Sequence, residues 1–133
     1  MEKKRVLSGI RATGRLHLGN YLGAVKGMLI LQDDLDYETF YMVADVHTIT
    51  TPYNIEELRK NRREVILDYL AAGLDPEKSV IFQQSEVPEH LELAFYFSSI
   101  VTIAKMQHLP TFKEKVKQYP EHATLALLNY PAL

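Results

Sequence analysis

The segment TGRLHLGNYLGA, residues 13–24, places three glycines, a histidine and an asparagine where a helix is about to begin. A helix start needs only one short polar side chain to accept a free backbone N–H. The surplus residues raise the alternative of a phosphate site. What flanks the segment fixes its setting. Before it, residues 5–10 read as a short buried strand with Val6, Leu7 and Ile10 as apolar members. After it, Leu18, Leu22, Val25, Met28, Leu29 and Leu31 follow helical spacing up to Asp33-Asp34.

The same alternation then repeats. Residues 39–44 (TFYMVA) are β-branched and aromatic and run directly into Asp45. Asn54, with Glu57 three residues on, resembles a capping box ahead of Leu58, Val65, Ile66, Tyr69 and Leu70, and Gly73 ends that face. Asp75-Pro76 make a turn, and residues 79–83 (SVIFQ) form a third strand. Pro88 opens a helix predicted to run to about residue 107. Strand, helix, strand, helix, strand, helix predicts an α/β fold: a Rossmann-like parallel sheet with helices on both faces. Ligands in such sheets bind beyond the carboxyl ends of the strands, here residues 8–20, 45–51 and 83–88 on one rim.

Composition narrows the function classes. A chain of 133 residues with 47% apolar content suits one domain with a packed core. Its formal charge of −2 argues against coating nucleic acid by bulk electrostatics, though not against a local phosphate site. Without cysteine there is no disulfide, thiolate zinc site or Cys nucleophile. Glu2, Lys3, Lys4 and Arg5 precede no apolar run of signal-peptide length, and stretches such as 93–104 fall short of the ~20 residues of a membrane span. A soluble cytoplasmic domain is expected. From the apolar ending ATLALLNYPAL, residues 123–133, the chain is expected to be the front part of something longer.

The glycine segment is not a P-loop: Gly9 and Gly14 have the spacing, but Arg15 and Leu16 stand where Lys and Ser/Thr are needed. The dinucleotide fingerprint GxGxxG is also absent. What remains is a turn with Thr13 and His17, then a helix opening at Gly19-Asn20 whose free N–H groups and dipole suit a phosphate. By spacing alone, a plain helix cap with an incidental histidine fits equally well. His47 could likewise be a turn histidine; a metal site is not expected, for want of a second ligand pair at metal spacing. His90, His108 and His122 are expected to be surface or helix residues without a role. Phe95, Tyr96, Phe97, Ile100 and Val101 surround most of the helix expected at 91–104, which suits either a central core helix or a subunit interface.

TGRLHLGNYLGA resembles the HIGH signature of class I aminoacyl-tRNA synthetases, with Asn20-Tyr21 in the form common among the tryptophan enzymes. VADVHTIT (43–50), FQQSEVPEH (82–90), TFKEK (111–115) and LLNYPAL (127–133) resemble that same family in the same order. The resemblance covers nearly the whole chain. It implies that residues 1–133 are the N-terminal part of a nucleotide-binding catalytic domain, ending before the KMSKS-bearing half. The implied reaction joins tryptophan to ATP, with Mg2+ carried by the ATP, and passes the acyl group to tRNA(Trp). A homodimer is implied as well.

By the same resemblance Arg11, Ala12, Thr13, His17, Gly19, Asn20 and Lys115 bind ATP, with Thr13, His17, Asn20 and Lys115 also catalytic. Lys115 matches a lysine on a mobile loop. Ala12 stands where many relatives have proline, which predicts a looser turn. Leu7, Gly9, Val43, His47, Gln84 and Tyr130 are the implied tryptophan site. The aspartate that accepts the indole N–H lies in a family segment beyond residue 133. A tyrosine enzyme of the same class, or a non-catalytic nucleotide-binding or dimerisation remnant, are the alternatives.

Overall fold

A computed structural model describes residues 2–133. Three strands, β1 (Lys4–Arg11), β2 (Tyr37–Ala44) and β3 (Val80–Gln83), form a parallel sheet in the order β1-β2-β3. The register sets Leu7 opposite Phe40, Gly9 opposite Met42, and Val43 between Ile10 and Gln83. β2 is therefore the centre, which is why it carries the most β-branched and aromatic residues.

Strand alternation decides what each face buries. Thr39, Tyr41 and Val43 of β2 are all buried. Tyr41 and Val43 pack in one cluster with Val25 and Met28 from the first helical rod and Leu58, Val65 and Tyr69 from α4 (Ile55–Ala72). The two tyrosines keep their hydroxyls satisfied inside this core: Tyr41 donates to the Met28 carbonyl at 2.7 Å and Tyr69 to the Met42 carbonyl at 3.2 Å. Burying each aliphatic side chain of this cluster contributes about 1.5–3 kcal/mol. Leu7, Phe40, Val80 and Phe82 bound an apolar hollow of about 520 Å³ on the sheet's other side, roofed at one end by Val87 and His90.

The first rod is α1 (Leu18–Asn20), a π-helical turn at Tyr21–Val25 and α2 (Lys26–Gln32), continuous in sequence. A short α3 (Asp45–Thr48) follows β2. In α4, Asn54 Oδ1 accepts from the N–H groups of Glu56 and Glu57, and Gly73 closes the helix in the left-handed region at φ 108°.

After β3 the expected long helix is two. α5 (Glu89–Ser98) stops well before residue 107, and α6 (Ile103–His108) begins anew behind Thr102, whose hydroxyl accepts from Lys105 N–H at 3.3 Å. The break has a local cause. Ser98 and Ser99 hydroxyls donate back to the carbonyls of Phe95 and Tyr96 at 2.6 and 2.7 Å, competing with the helical ladder. α7 (Pro110–Gln118) and α8 (Leu125–Asn129) complete the chain, with 3₁₀ turns at Gln84–Glu86, Pro120–His122 and Tyr130–Ala132. The expectation of a central core helix fails for α5. Ala94 is its one buried residue, while Phe95 is 73% exposed.

Candidate functional site

The carboxyl rim of the sheet holds the sequence-predicted residues in separate groups. A polar cleft of about 380 Å³ is lined by Arg11, Ala12, Thr13, Thr48, Asn54 and Lys115, among others. Arg11 ends β1 and reaches across to α3, donating to the Thr48 carbonyl at 3.3 Å and to the Thr51 hydroxyl. Its Nε is buried without a partner. Burial lowers the Arg11 pKa, and the neighbouring Tyr130 and Tyr119 act in the opposite direction.

Ala12 is buried, and its N–H donates to Thr48 Oγ1 at 2.9 Å. The looser turn expected from a missing proline is thus replaced by a pinned one, through a bond proline cannot make. Lys115 sits on α7 rather than on a loop, because Pro110 at the first helical turn starts a helix that runs through it. Its ammonium donates to Gln118 Oε1 at 3.2 Å.

His17, Gly19 and Asn20 are not among the residues lining this cleft. They form a reciprocal cap. His17 Nδ1 accepts from Gly19 N–H at 3.0 Å, and Asn20 Oδ1 accepts from His17 N–H at 3.1 Å. A lone pair used at Nδ1 puts the neutral ring's proton on Nε2, which leaves an N–H donor on the exposed side chain. Ahead of the cap, Gly14 takes φ 148°. Asp68 of α4 then fastens the segment: its carboxylate accepts from Arg15 Nη2 at 2.6 Å and from Leu16 N–H at 2.8 Å. Arg15 holds the Asp68 carboxyl below its ordinary range. Sequence reasoning did not find Asp68; its one signal is the Glu64/Asp68 pair at i,i+4 on α4, both within ion-pair distance of Arg15.

The residues expected from the resemblance to form a tryptophan site divide. His47, Gln84 and Tyr130 come together: Gln84 is 1% exposed, and its Oε1 accepts from His47 N–H at 3.2 Å and meets His47 Nδ1 at 2.9 Å. The Tyr130 ring stands edge-on to His47, centroids 5.2 Å apart. Gln84 Nε2 is buried with no partner. Beneath lies Asp45, 3% exposed, bound to Ser85 and Arg62, none of which the sequence singled out for chemistry.

Val43 does not join them. Strand parity turns it into the core under α2 and α4, away from the side of the sheet that Leu7 shares with Phe40. Leu7 borders the apolar hollow instead. Gly9 answers to its neighbouring strand, since a Cβ there would lie 2.6 Å from the Met42 carbonyl oxygen. His90 lies on α5, where its ring packs tilted against Phe82 and its Nδ1 is buried. Among the described residues, no three His, Cys, Asp or Glu are grouped to hold a metal, and no helix is long and apolar enough to cross a membrane.

Residues 1–133 match the family described as tRNA synthetases class I (W and Y). The chain is 45% identical over 132 residues to a tryptophan–tRNA ligase of Thermotoga maritima, covering 97% of this chain and 40% of that protein. With a tryptophan–tRNA ligase of Fusobacterium nucleatum it shares 46% over 131 residues, 98% of this chain and 39% of the other. The crystal structure of Campylobacter jejuni tryptophanyl-tRNA synthetase complexed with ADP and tryptophan is similar with a TM-score of 0.86 and 34% identity, across 96% of this chain and 39% of that one. Tyrosyl-tRNA synthetase from Archaeoglobus fulgidus, 21% identical with a TM-score of 0.81 over 99% of this chain and 41% of that one, shares the fold. The chain thus spans about 40% of the length of the curated relatives it matches.

Proposed function

Because this chain belongs to the class I tRNA synthetases of tryptophan and tyrosine, we propose that it forms the ATP-binding front of a tryptophan–tRNA ligase. The ionised carboxylate of tryptophan attacks the α-phosphate of ATP, pyrophosphate leaves, and the acyl group of the adenylate then passes to tRNA(Trp). No side-chain nucleophile is required, so the protein contributes position and charge. Arg11, Thr13 and Lys115 in the polar cleft are suited to the nucleotide, and the His17 Nε2–H to its phosphates. Asn20 and Gly19 keep that ring in place. Magnesium travels with the ATP phosphates as part of the substrate.

The observation that carries this reading is the meeting of the polar cleft with the His47–Gln84–Tyr130 group. Tyr130 stands edge-on to His47, and Thr48, the next residue in α3, lines the cleft and accepts from Arg11, so the two groups adjoin. Gln84, with an unpaired buried amide N–H, has a donor left for a polar ligand. Tryptophan is preferred to tyrosine because curated relatives at 42–46% identity are tryptophan ligases. The exposed apolar residues of α5 suit a homodimer, and the proposed reading includes a cytoplasmic ligase.

The test is amino-acid-dependent exchange of labelled pyrophosphate into ATP. It is measured on this chain and on a chimera in which residues 1–133 replace the matching segment of one of those ligases. Exchange by the chimera with tryptophan and not with tyrosine is expected. A folded chimera that exchanges with neither overturns the proposal.

A further inference from the structure

We infer that Asp45 is a positioning residue for the proposed tryptophan site: its buried carboxylate holds the turn after β3 in register with the turn after β2, and so sets the His47–Gln84 pair. The bonding is reciprocal. Asp45 Oδ1 accepts from Ser85 N–H at 3.0 Å and Oδ2 from the Ser85 hydroxyl at 2.6 Å. In return Gln84, the residue before Ser85, accepts from His47 N–H, two residues after Asp45. Each turn therefore supplies a side chain to the other's backbone, across 40 residues of sequence in one direction and 37 in the other.

The Asp45 carboxylate has no room for alternatives. Its oxygens also take Val46 N–H at 3.0 Å and Arg62 Nη1 of α4 at 3.2 Å. At 3% exposure such a group holds its partners in one arrangement, since each broken bond leaves a buried polar atom unsatisfied. Arg62 ties the pair of turns to α4, which packs under the sheet. The consequence reaches the ring of His47. With Gln84 Oε1 fixed in front of Nδ1, the neutral imidazole carries its proton there, and Nε2 is left as an acceptor. One carboxylate thus determines which nitrogen of His47 can accept a hydrogen bond from a ligand.

The functional consequence rests on the tryptophan-site reading, but the test does not. Ring nitrogen signals of His47 are recorded by long-range ¹H–¹⁵N NMR on this chain without substrate, for the wild type, Ser85→Ala and Asp45→Asn. The wild type is expected to show a single Nδ1–H tautomer at neutral pH. Both variants are expected to lose it for a mixture, Asp45→Asn the more completely, because its amide N–H groups face the Arg62 guanidinium. Ser85→Ala removes one hydroxyl without burying a new charge, so it decides the matter if Asp45→Asn does not fold. Retention of the Nδ1–H tautomer in folded Asp45→Asn, or in folded Ser85→Ala where Asp45→Asn does not fold, overturns the inference. A merely structural aspartate would lower the melting temperature without moving that signature. Failed pyrophosphate exchange with an intact wild-type signature would tell against the ligase reading and leave this one standing.

Discussion

Gly19 and His17 are fitted to each other: a Cβ on Gly19 would lie 2.9 Å from Cε1 of the His17 ring and 3.0 Å from Nδ1. The glycine is needed for the histidine to cap its own helix. On the proposed reading, cap and phosphate donor are one arrangement, because Nδ1 serves the backbone and Nε2–H stays free. Gly19→Ala should displace the ring and lower adenylate formation almost as far as His17→Ala. Loss of one such preorganised donor typically costs about 2.7–4 kcal/mol, or ~10²–10³ in rate. Single-turnover adenylate formation in the chimera checks this; normal rates in Gly19→Ala would separate the cap from the chemistry. His17→Ala should also lose about 1 kcal/mol of stability with the cap.

Asp68 should make stability depend on acid. Its folded pKa is depressed, first by the Arg15 bond and also by the Leu16 N–H. The contribution is therefore fully present above the ordinary carboxylate pKa near 3.9 and is lost as pH falls through the lower folded value. Asp68→Asn should lower the melting temperature at neutral pH, with the gap to wild type closing in strong acid. Circular dichroism melts from neutral pH down to pH ~2 measure it, and a gap that stays constant with pH would mean the carboxylate charge is not involved.

Gly9→Ala should be among the least tolerated changes in β1. The added methyl meets Met42 Cγ at 2.5 Å and the Met42 carbonyl oxygen at 2.6 Å. The side chain can turn away, but the backbone of the central strand cannot. Overpacking of this kind costs typically 1–3 kcal/mol. Urea denaturation should show it as a lower midpoint with an unchanged slope.

Much of the fold was readable because its signals are local. The strands at 39–44 and 79–83, and the Asn54 and Gly73 ends of α4, follow from periodicity and cap chemistry within a few residues. The end of α5 was not, because Ser98 and Ser99 can sit inside a helix or break it according to where their hydroxyls turn. Val43 was misplaced by a matter of parity: motif position alone does not tell which face of a strand a residue takes, whereas its two-residue spacing from Tyr41 does. Asp68 and Asp45 stayed hidden because their partners lie 52 and 40 residues away in sequence, so nothing near them announces the bond.

The apolar surface of α5 and the turn after it should be covered by a second copy of the chain. Phe95, Tyr96 and Ile100 are 73%, 66% and 75% exposed, and Leu125 of α8 is 82% exposed. Exposed apolar residues gathered on neighbouring elements mark an interface. Phe95→Glu or Ile100→Glu should shift sedimentation toward the monomer while leaving the melting temperature at low concentration unchanged. A wild-type chain that sediments as a monomer at tens of micromolar, as an order of magnitude for weak association, would remove the basis for this expectation.

Lys115 provides the sharpest contrast within one helix. It lines the polar cleft with Arg11 and Thr13, whereas Lys113 and Lys117 on the same helix do not. Helical geometry explains the difference, since residues two apart on a helix point roughly 200° from one another. A lysine that meets ATP phosphates can act on binding, on the transition state, or on both. If the ammonium acts on charge that develops as pyrophosphate leaves, Lys115→Ala should lower kcat for exchange and leave the KM for ATP nearly as it was. If it only holds the ground-state phosphates, KM should rise alone. We expect the first pattern, at ~10- to 100-fold, the scale of one charge-assisted bond of about 1.5–3 kcal/mol. Lys113→Ala and Lys117→Ala should match wild type in both constants. Equal losses from all three lysines would mean that general positive charge on α7, not the geometry of the cleft, draws the nucleotide in.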